Sequence, residues 1–286
     1  MPVAIIGGDA MSEDVKLTAY FERIGFAGSI APTLATLEAL HALQPAAIPF
    51  ENLDSFAGRK VALDSLSLDR KLIDERRGGY CFELNLLFQR VLNELGFVTQ
   101  GHLAETLWGH LNDQPFAPDH SAITVELAGT TYLADVGFGG LTQMAPLQLE
   151  PGLEQEARLG TYRLITDGPY LRLEHRRETG WWPAYRLSLE PVGADAYARL
   201  SDALNANPDW FLRQHLLVER LSEAGRTLLY DTRLTTPGAA GPEERTLGSG
   251  AEIREVLSTA FGIQPGPLDG LDALLARLVT NNVMTS

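Results

Sequence analysis

One cysteine occurs among the 286 residues, and its neighbours raise the question of whether it does chemistry. Cys81 follows Gly78-Gly79-Tyr80 and opens the apolar series Leu84, Leu87, Phe88, Val91, Leu92 and Leu95, a spacing that predicts a helix ended by Gly96. The two glycines let the chain turn sharply into that helix. In the first helical turn, unpaired N–H groups and the positive end of the helix dipole favour a thiolate, and the same N–H groups suit an oxyanion forming on an attacked acyl carbon. The opposing reading is that free cysteine is among the most buried residue types and packs as a small hydrophobe. Position alone favours that second reading.

A nucleophilic thiol needs a base held in place, and one hairpin offers it. Ile123, Val125 and Leu127 alternate with Ala122, Thr124 and Glu126, then Ala128-Gly129 makes a turn before TTYLADV. With a two-residue turn, Leu127 faces Thr130 and Ala122 faces Asp135, and His120 lies two residues further along the same face. His120 and Asp135 are then diagonal neighbours, roughly 7 to 8 Å apart at Cα. A four-residue loop keeps both on that face; a three-residue loop does not. Taken singly, His120 reads as a turn residue in PDHS and Asp135 as a strand-end residue before VGFGG. Taken together with Cys81 they form the Cys-His-Asp set of a nucleophile, a base and a residue that orients the base.

These residues must be carried by a chain that changes period along its length. Leu17, Tyr20, Phe21 and Ile24 predict a helix stopped by Gly25, and Leu34, Leu37, Leu40 and Leu43 a second one from Thr33 that Pro45 closes. IPFENLDSF reads as an irregular connection. After the hairpin come short strands at 162–166, 170–175 and 184–189, with Asp167-Gly168-Pro169 as a turn, and a β-barrel or sandwich is the natural cover for them. The last third is mixed: 210–221 fits helix or strand, 226–234 reads as one strand, 235–244 as a loop, and 251–261 as a helix.

At this point the sequence resembles the arylamine N-acetyltransferase family. RGGYCFELN (77–85) is similar to its cysteine motif, DHSAITV (119–125) to its histidine segment and ADVGFGG (134–140) to its aspartate segment. YFERIGF and AIPFENLD resemble its N-terminal helical region, so the match covers about residues 16–140; beyond that, NPDWF (207–211) only loosely resembles a coenzyme-contacting segment, without its serine. The resemblance implies an α+β fold of three parts: a helical bundle over 1–97 carrying the cysteine, a central antiparallel β-barrel over 98–206 carrying His120 and Asp135, and an α/β lid over 207–286. It implies Cys81, His120 and Asp135 as a catalytic triad in a cysteine-protease-like core. Acetyl-CoA is then the acyl donor and an arylamine or arylhydrazine the acceptor, a xenobiotic-metabolising activity that runs through an acetyl-cysteine. Phe50 and Phe138 match positions that line the acceptor pocket, Arg77 a structural ion-pair partner, and Glu83 and Asn85 residues that brace the helix start.

Composition bounds what else the chain does. A net charge of -14 repels phosphate backbones and argues against nucleic-acid binding. No apolar run is long enough for a membrane span, and MPVAIIGGDAMSEDVK lacks the basic start of a secretory signal. With a single cysteine that has no internal partner, this fits a cytoplasmic protein. The six histidines show no metal-ligand spacing, and phosphate-loop and GxSxG signatures are missing, so no metal is expected. No feature sets an oligomeric state. Three readings stay open beside acetyl transfer: a transglutaminase-like or other cysteine hydrolase, an amide synthase, and a non-catalytic binding protein on the same fold.

Overall fold

Gly25 ends the first helix as the spacing predicts: α1 (Leu17–Ile24) buries Tyr20 and Ile24 and stops at a left-handed Gly25. A computed structural model describes residues 15–111, 114–266 and 268–285; the N-terminal run weighed as a signal lies outside the described residues. Helix α2 (Leu34–Ala47) starts under the Thr33 hydroxyl, which accepts from the Thr36 N–H. It runs through Pro45 for two further residues instead of closing there, with the Ile48 N–H bonded to the Gln44 carbonyl. The stretch expected to be irregular is ordered: β1 (Phe50–Glu51) is followed by the one-turn α3 (Leu53–Phe56). Next come α4 (Ser65–Leu68), a π-helical segment at Asp69–Asp74, and the central α5 (Cys81–Glu94), ten of whose 14 residues are buried.

Strands β2 (Val98–Thr106), β3 (His120–Leu127) and β4 (Thr130–Ala134) begin an eight-stranded antiparallel sheet. It continues with β5 (Leu147–Gln148), β6 (Glu154–Ala157), β7 (Gly160–Asp167), β8 (Tyr170–Arg177) and β9 (Gly180–Ser188), in the order β5-β4-β3-β2-β9-β8-β7-β6. The two edges meet through one side chain. The Gln155 amide accepts from the Gln148 N–H at 2.7 Å and donates to the Gln148 carbonyl at 2.9 Å, so the sheet is a nearly closed barrel. Strand β3 is buried on both faces: Ile123 and Val125 join the core of the helices, while Ala122 joins the barrel interior with Leu164, Leu173 and Tyr185.

Helix α6 (Ala194–Ala206) has only Tyr197 and Ser201 buried, which explains why no apolar stripe announced it. The segment 210–221 turns out to be both helix and strand, α7 (Phe211–Gln214) then β10 (Leu217–Ser222). The single strand expected at 226–234 is a hairpin, β11 (Gly225–Tyr230) and β12 (Arg233–Thr236), because Asp231 takes a left-handed turn conformation that its short polar side chain tolerates. After β13 (Glu243–Thr246), helices α8 (Gly250–Thr259) and α9 (Leu271–Thr285) cover this second sheet with an apolar core of their own. Its order is β1-β10-β11-β12-β13, so a strand from the segment leading to Cys81 forms its edge. Among the described residues no helix is long and apolar enough to cross a membrane.

Candidate active site

The hairpin has the register the sequence implies. Ala128 and Gly129 both have positive φ, as a two-residue primed turn requires, and Leu127 pairs with Thr130 and Ile123 with Ala134. That register sets Asp135 level with Ala122 and brings His120 over it: His120 Nε2 lies 2.7 Å from Asp135 Oδ2, both side chains being buried. The bond to Asp135 leaves Nδ1 for another partner, and the Cys81 side chain interacts with the same imidazole.

Cys81 reaches this point because the start of α5 is clamped from both sides. Gly78 and Gly79 have no positive φ, so their task is not the sharp turn the sequence suggested. They permit close approach instead: a Cβ on Gly78 would lie 2.1 Å from the Pro49 carbonyl oxygen. The chain there runs against β1, with the Glu51 N–H donating to the Gly79 carbonyl at 2.9 Å. From the other side the loop after β4 closes in, and a Cβ on Gly137 would sit 3.0 Å from Cys81 Cα. The Glu83 carboxylate accepts from the Tyr80 N–H at 3.1 Å and secures the helix start.

Asn85 ties the three parts together. Its Nδ2 donates to the Ser121 carbonyl at 2.6 Å and to Asp135 Oδ1 at 3.0 Å, and its Oδ1 accepts from the Val136 N–H at 3.0 Å. Asp135 Oδ1 also accepts the Gly137 N–H at 2.9 Å. Burial alone would push the Asp135 pKa up, but the His120 charge and these donors hold it below the usual carboxylate range. Burial likewise opposes charge on His120, and is outweighed by attraction and hydrogen bonding to Asp135 and by the neighbouring sulfur, which raise its pKa to about 10. Asp135 thus favours the charged form of the imidazole, which lies beside the Cys81 sulfur.

A pocket of about 120 Å³ opens over the sulfur, and Phe50, Cys81, His120 and Phe138 all line it. Trp108, which stacks on Phe138 at 5.4 Å, and Trp210 and Phe211 at the start of α7 are further walls that the sequence patterns did not single out as a pocket. Tyr185 packs against both His120 and Phe138, with ring centroids about 5 Å apart. Arg77 lies behind the site and pairs with Glu51 at 2.6 Å and Asp54 at 3.1 Å. Among the described residues, no group of three or more His, Cys, Asp or Glu is arranged to hold a metal ion.

The family model described as N-acetyltransferase matches residues 33–266. The arylamine N-acetyltransferase of Escherichia coli K12 is 36% identical over 252 residues, 86% of this chain and 88% of its own length. The chain belongs to the arylamine N-acetyltransferase family. The Mycolicibacterium smegmatis member is 35% identical over 90% of this chain and 95% of its own. Among solved structures, Mycobacterium marinum arylamine N-acetyltransferase superposes with a TM-score of 0.88 at 32% identity, covering 92% of this chain and 99% of that one. The same enzyme solved in complex with CoA gives a TM-score of 0.86 at 33% identity over the same shares. The chain is thus an acyltransferase with the family's α+β architecture.

Proposed function

We propose that this enzyme transfers an acetyl group from acetyl-CoA to an arylamine or arylhydrazine in two half-reactions through acetyl-Cys81. The observation that carries the proposal is the meeting of Cys81, His120 and Asp135 in one aromatic-walled pocket. Membership of the family and the CoA complex of a relative support the donor and the acceptor class.

In the first half-reaction the Cys81 thiolate attacks the acetyl carbonyl carbon, and backbone N–H groups in the first turn of α5 stabilise the oxyanion. Collapse expels the CoA thiolate, which takes the proton from His120 and leaves as the thiol. One thioester replaces another, so the step is nearly balanced. It also consumes the thiolate charge that helped hold the proton on His120, so the imidazole is left neutral and ready to act as a base. In the second half-reaction the amine attacks acetyl-Cys81 and His120 accepts its proton, assistance typically worth about 10²- to 10⁴-fold. The departing sulfur regenerates the thiolate-imidazolium pair. Asp135 keeps the ring oriented throughout, and Phe50 and Phe138 wall the acceptor and limit water.

The division of labour is 1–97 for the nucleophile, 98–206 for the base and its orienting acid, and 207–286 for the lid that closes the pocket with Trp210 and Phe211. A lone unpaired thiol at the reacting centre supports a cytoplasmic setting.

Intact-mass measurement tests the scheme. Mixing with acetyl-CoA should add one acetyl group at Cys81, an arylamine should remove it, and initial-rate plots at several donor concentrations should be parallel. Intersecting lines with no acetyl-enzyme would mean direct transfer within a ternary complex. Cleavage of a peptide amide without CoA would favour the hydrolase reading.

A further inference from the structure

Asp119 takes no part in the transfer just described, yet it lines the same pocket. Of the described residues around that pocket it is the only carboxylate, set among Thr106, Trp108, His120, Phe138 and Phe211. It sits immediately before β3, and the end of β2 fixes its orientation: the Thr106 N–H donates to Oδ1 at 2.8 Å and the Thr106 hydroxyl to Oδ2 at 2.6 Å. Each oxygen accepts one of these bonds and keeps a lone pair in reserve. Among the described residues no lysine or arginine pairs with it. The charged groups that act on it are the His120 imidazole, already bonded to Asp135, and a second acid, Glu105, which is itself held by Arg186. A rigid carboxylate without its own cation, half-buried beside an aromatic cavity, offers its remaining lone pairs to a cation or hydrogen-bond donor that enters the cavity.

We propose that Asp119 sets the charge selectivity of the acceptor: it pairs with a cationic or hydrogen-bond-donating substituent on the aromatic amine and repels an anionic one. The idea rests on the acceptor entering the pocket beside acetyl-Cys81, as in the reading above. Two charges of like sign a few ångströms apart in a partly buried site repel strongly, and opposite charges gain correspondingly, so the effect belongs in the ratio of kcat/KM values between acceptors of one shape. The same carboxylate facing the amide N–H groups of the donor's pantetheine arm would instead affect only the acetyl-CoA half-reaction.

Three acceptors of nearly one shape separate these outcomes: 4-aminobenzamidine, 4-aminobenzamide and 4-aminobenzoate, bearing a cation, a neutral amide and an anion. Because their amino groups differ in nucleophilicity, the decisive quantity is the cation-to-anion preference of the wild type relative to Asp119→Asn, in which that difference cancels. Asparagine retains an acceptor for the Thr106 N–H, and the Thr106 hydroxyl turns to accept from its amide. The preference should fall by about 10-fold or more in Asp119→Asn, with the neutral amide in between. A cation-to-anion preference that rises in Asp119→Asn overturns the proposal. An unchanged ratio overturns it too, and a raised KM for acetyl-CoA with that ratio intact would reassign Asp119 to the donor. Intact mass after acetyl-CoA is read alongside: absence of acetyl-Cys81 in the wild type would remove the acyl-transfer scheme itself, a failure distinct from loss of charge selectivity.

Discussion

At the scale of single residues, Asp135 has every lone pair that matters directed by the protein, and Asn85 is the residue that arranges this. Asn85→Ala would strip one donor from Asp135 and leave the Ser121 carbonyl and the Val136 N–H unpaired in the core. The expected loss is about 2 to 4 kcal/mol of stability, measured by denaturant unfolding, with lower activity in the protein that remains folded. Asp135→Asn keeps the shape but removes the charge that holds the proton on His120, so kcat/KM should drop by about 10²-fold or more, and alkylation of Cys81 near neutral pH should slow. The pair also shapes stability against pH. The His120 pKa is raised from 6.5 to about 10, so its stabilisation is full below 6.5 and is lost as pH rises through about 10. The Asp135 pKa is lowered from 3.8, so its stabilisation is full above 3.8 and is lost as pH falls through the lower folded value. The difference in melting temperature between wild type and Asp135→Asn should therefore be largest from about pH 4 to 6.5 and shrink toward pH 10. A difference that grew with alkalinity would contradict the assigned charge states.

At the scale of elements, the hairpin and the start of α5 are positioned by different means. The hairpin is local: Ala128-Gly129 fixes a two-residue turn, and the period-two pattern then puts His120 and Asp135 on one face. The helix start is not local, since it is set by β1 and by the loop after β4 pressing on it. Gly78→Ala would drive a methyl group into the Pro49 carbonyl, so the strand and the helix start must separate. A loss of about 1 to 3 kcal/mol, with acetyl-Cys81 formation slowed, is the expected outcome of thermal melts and single-turnover mass measurements. A well-folded, fully active Gly78→Ala would show that the clamp on α5 is not what aims the sulfur. The same contrast explains the errors of sequence reading. Pro45 sits inside α2 although a proline usually ends a helix, and 226–234 looks like one strand because its alternation runs straight through the turn at Asp231.

At the scale of the whole molecule, a buried ionic cluster joins the segments that meet behind Cys81. Arg77 binds Glu51 and Asp54, and Lys71 binds Asp54 at 2.8 Å and Glu83 at 2.7 Å, linking β1, α3, the π-helical segment and the start of α5. Glu51 is fully buried, and removing Arg77 leaves its charge with the Leu53 N–H and the neighbouring Lys71 but without its own ion-pair partner. Arg77→Met should cost about 3 to 5 kcal/mol by denaturant unfolding, far more than loss of the exposed Lys60–Asp202 pair.

Sequence alone determined the chemistry-bearing residue types, their order, and the hairpin that pairs a base with an acid, because each follows from a periodicity or a turn acting over at most about fifteen positions. Only the tertiary structure decided that Cys81 faces that hairpin, that Trp108, Trp210 and Phe211 complete the pocket with Phe50 and Phe138, and that Asp119 lines it. Those contacts join residues up to 161 positions apart, from Phe50 to Phe211. They arise from the burial of apolar faces and from backbone approaches that glycine permits, neither of which leaves a local pattern in the chain.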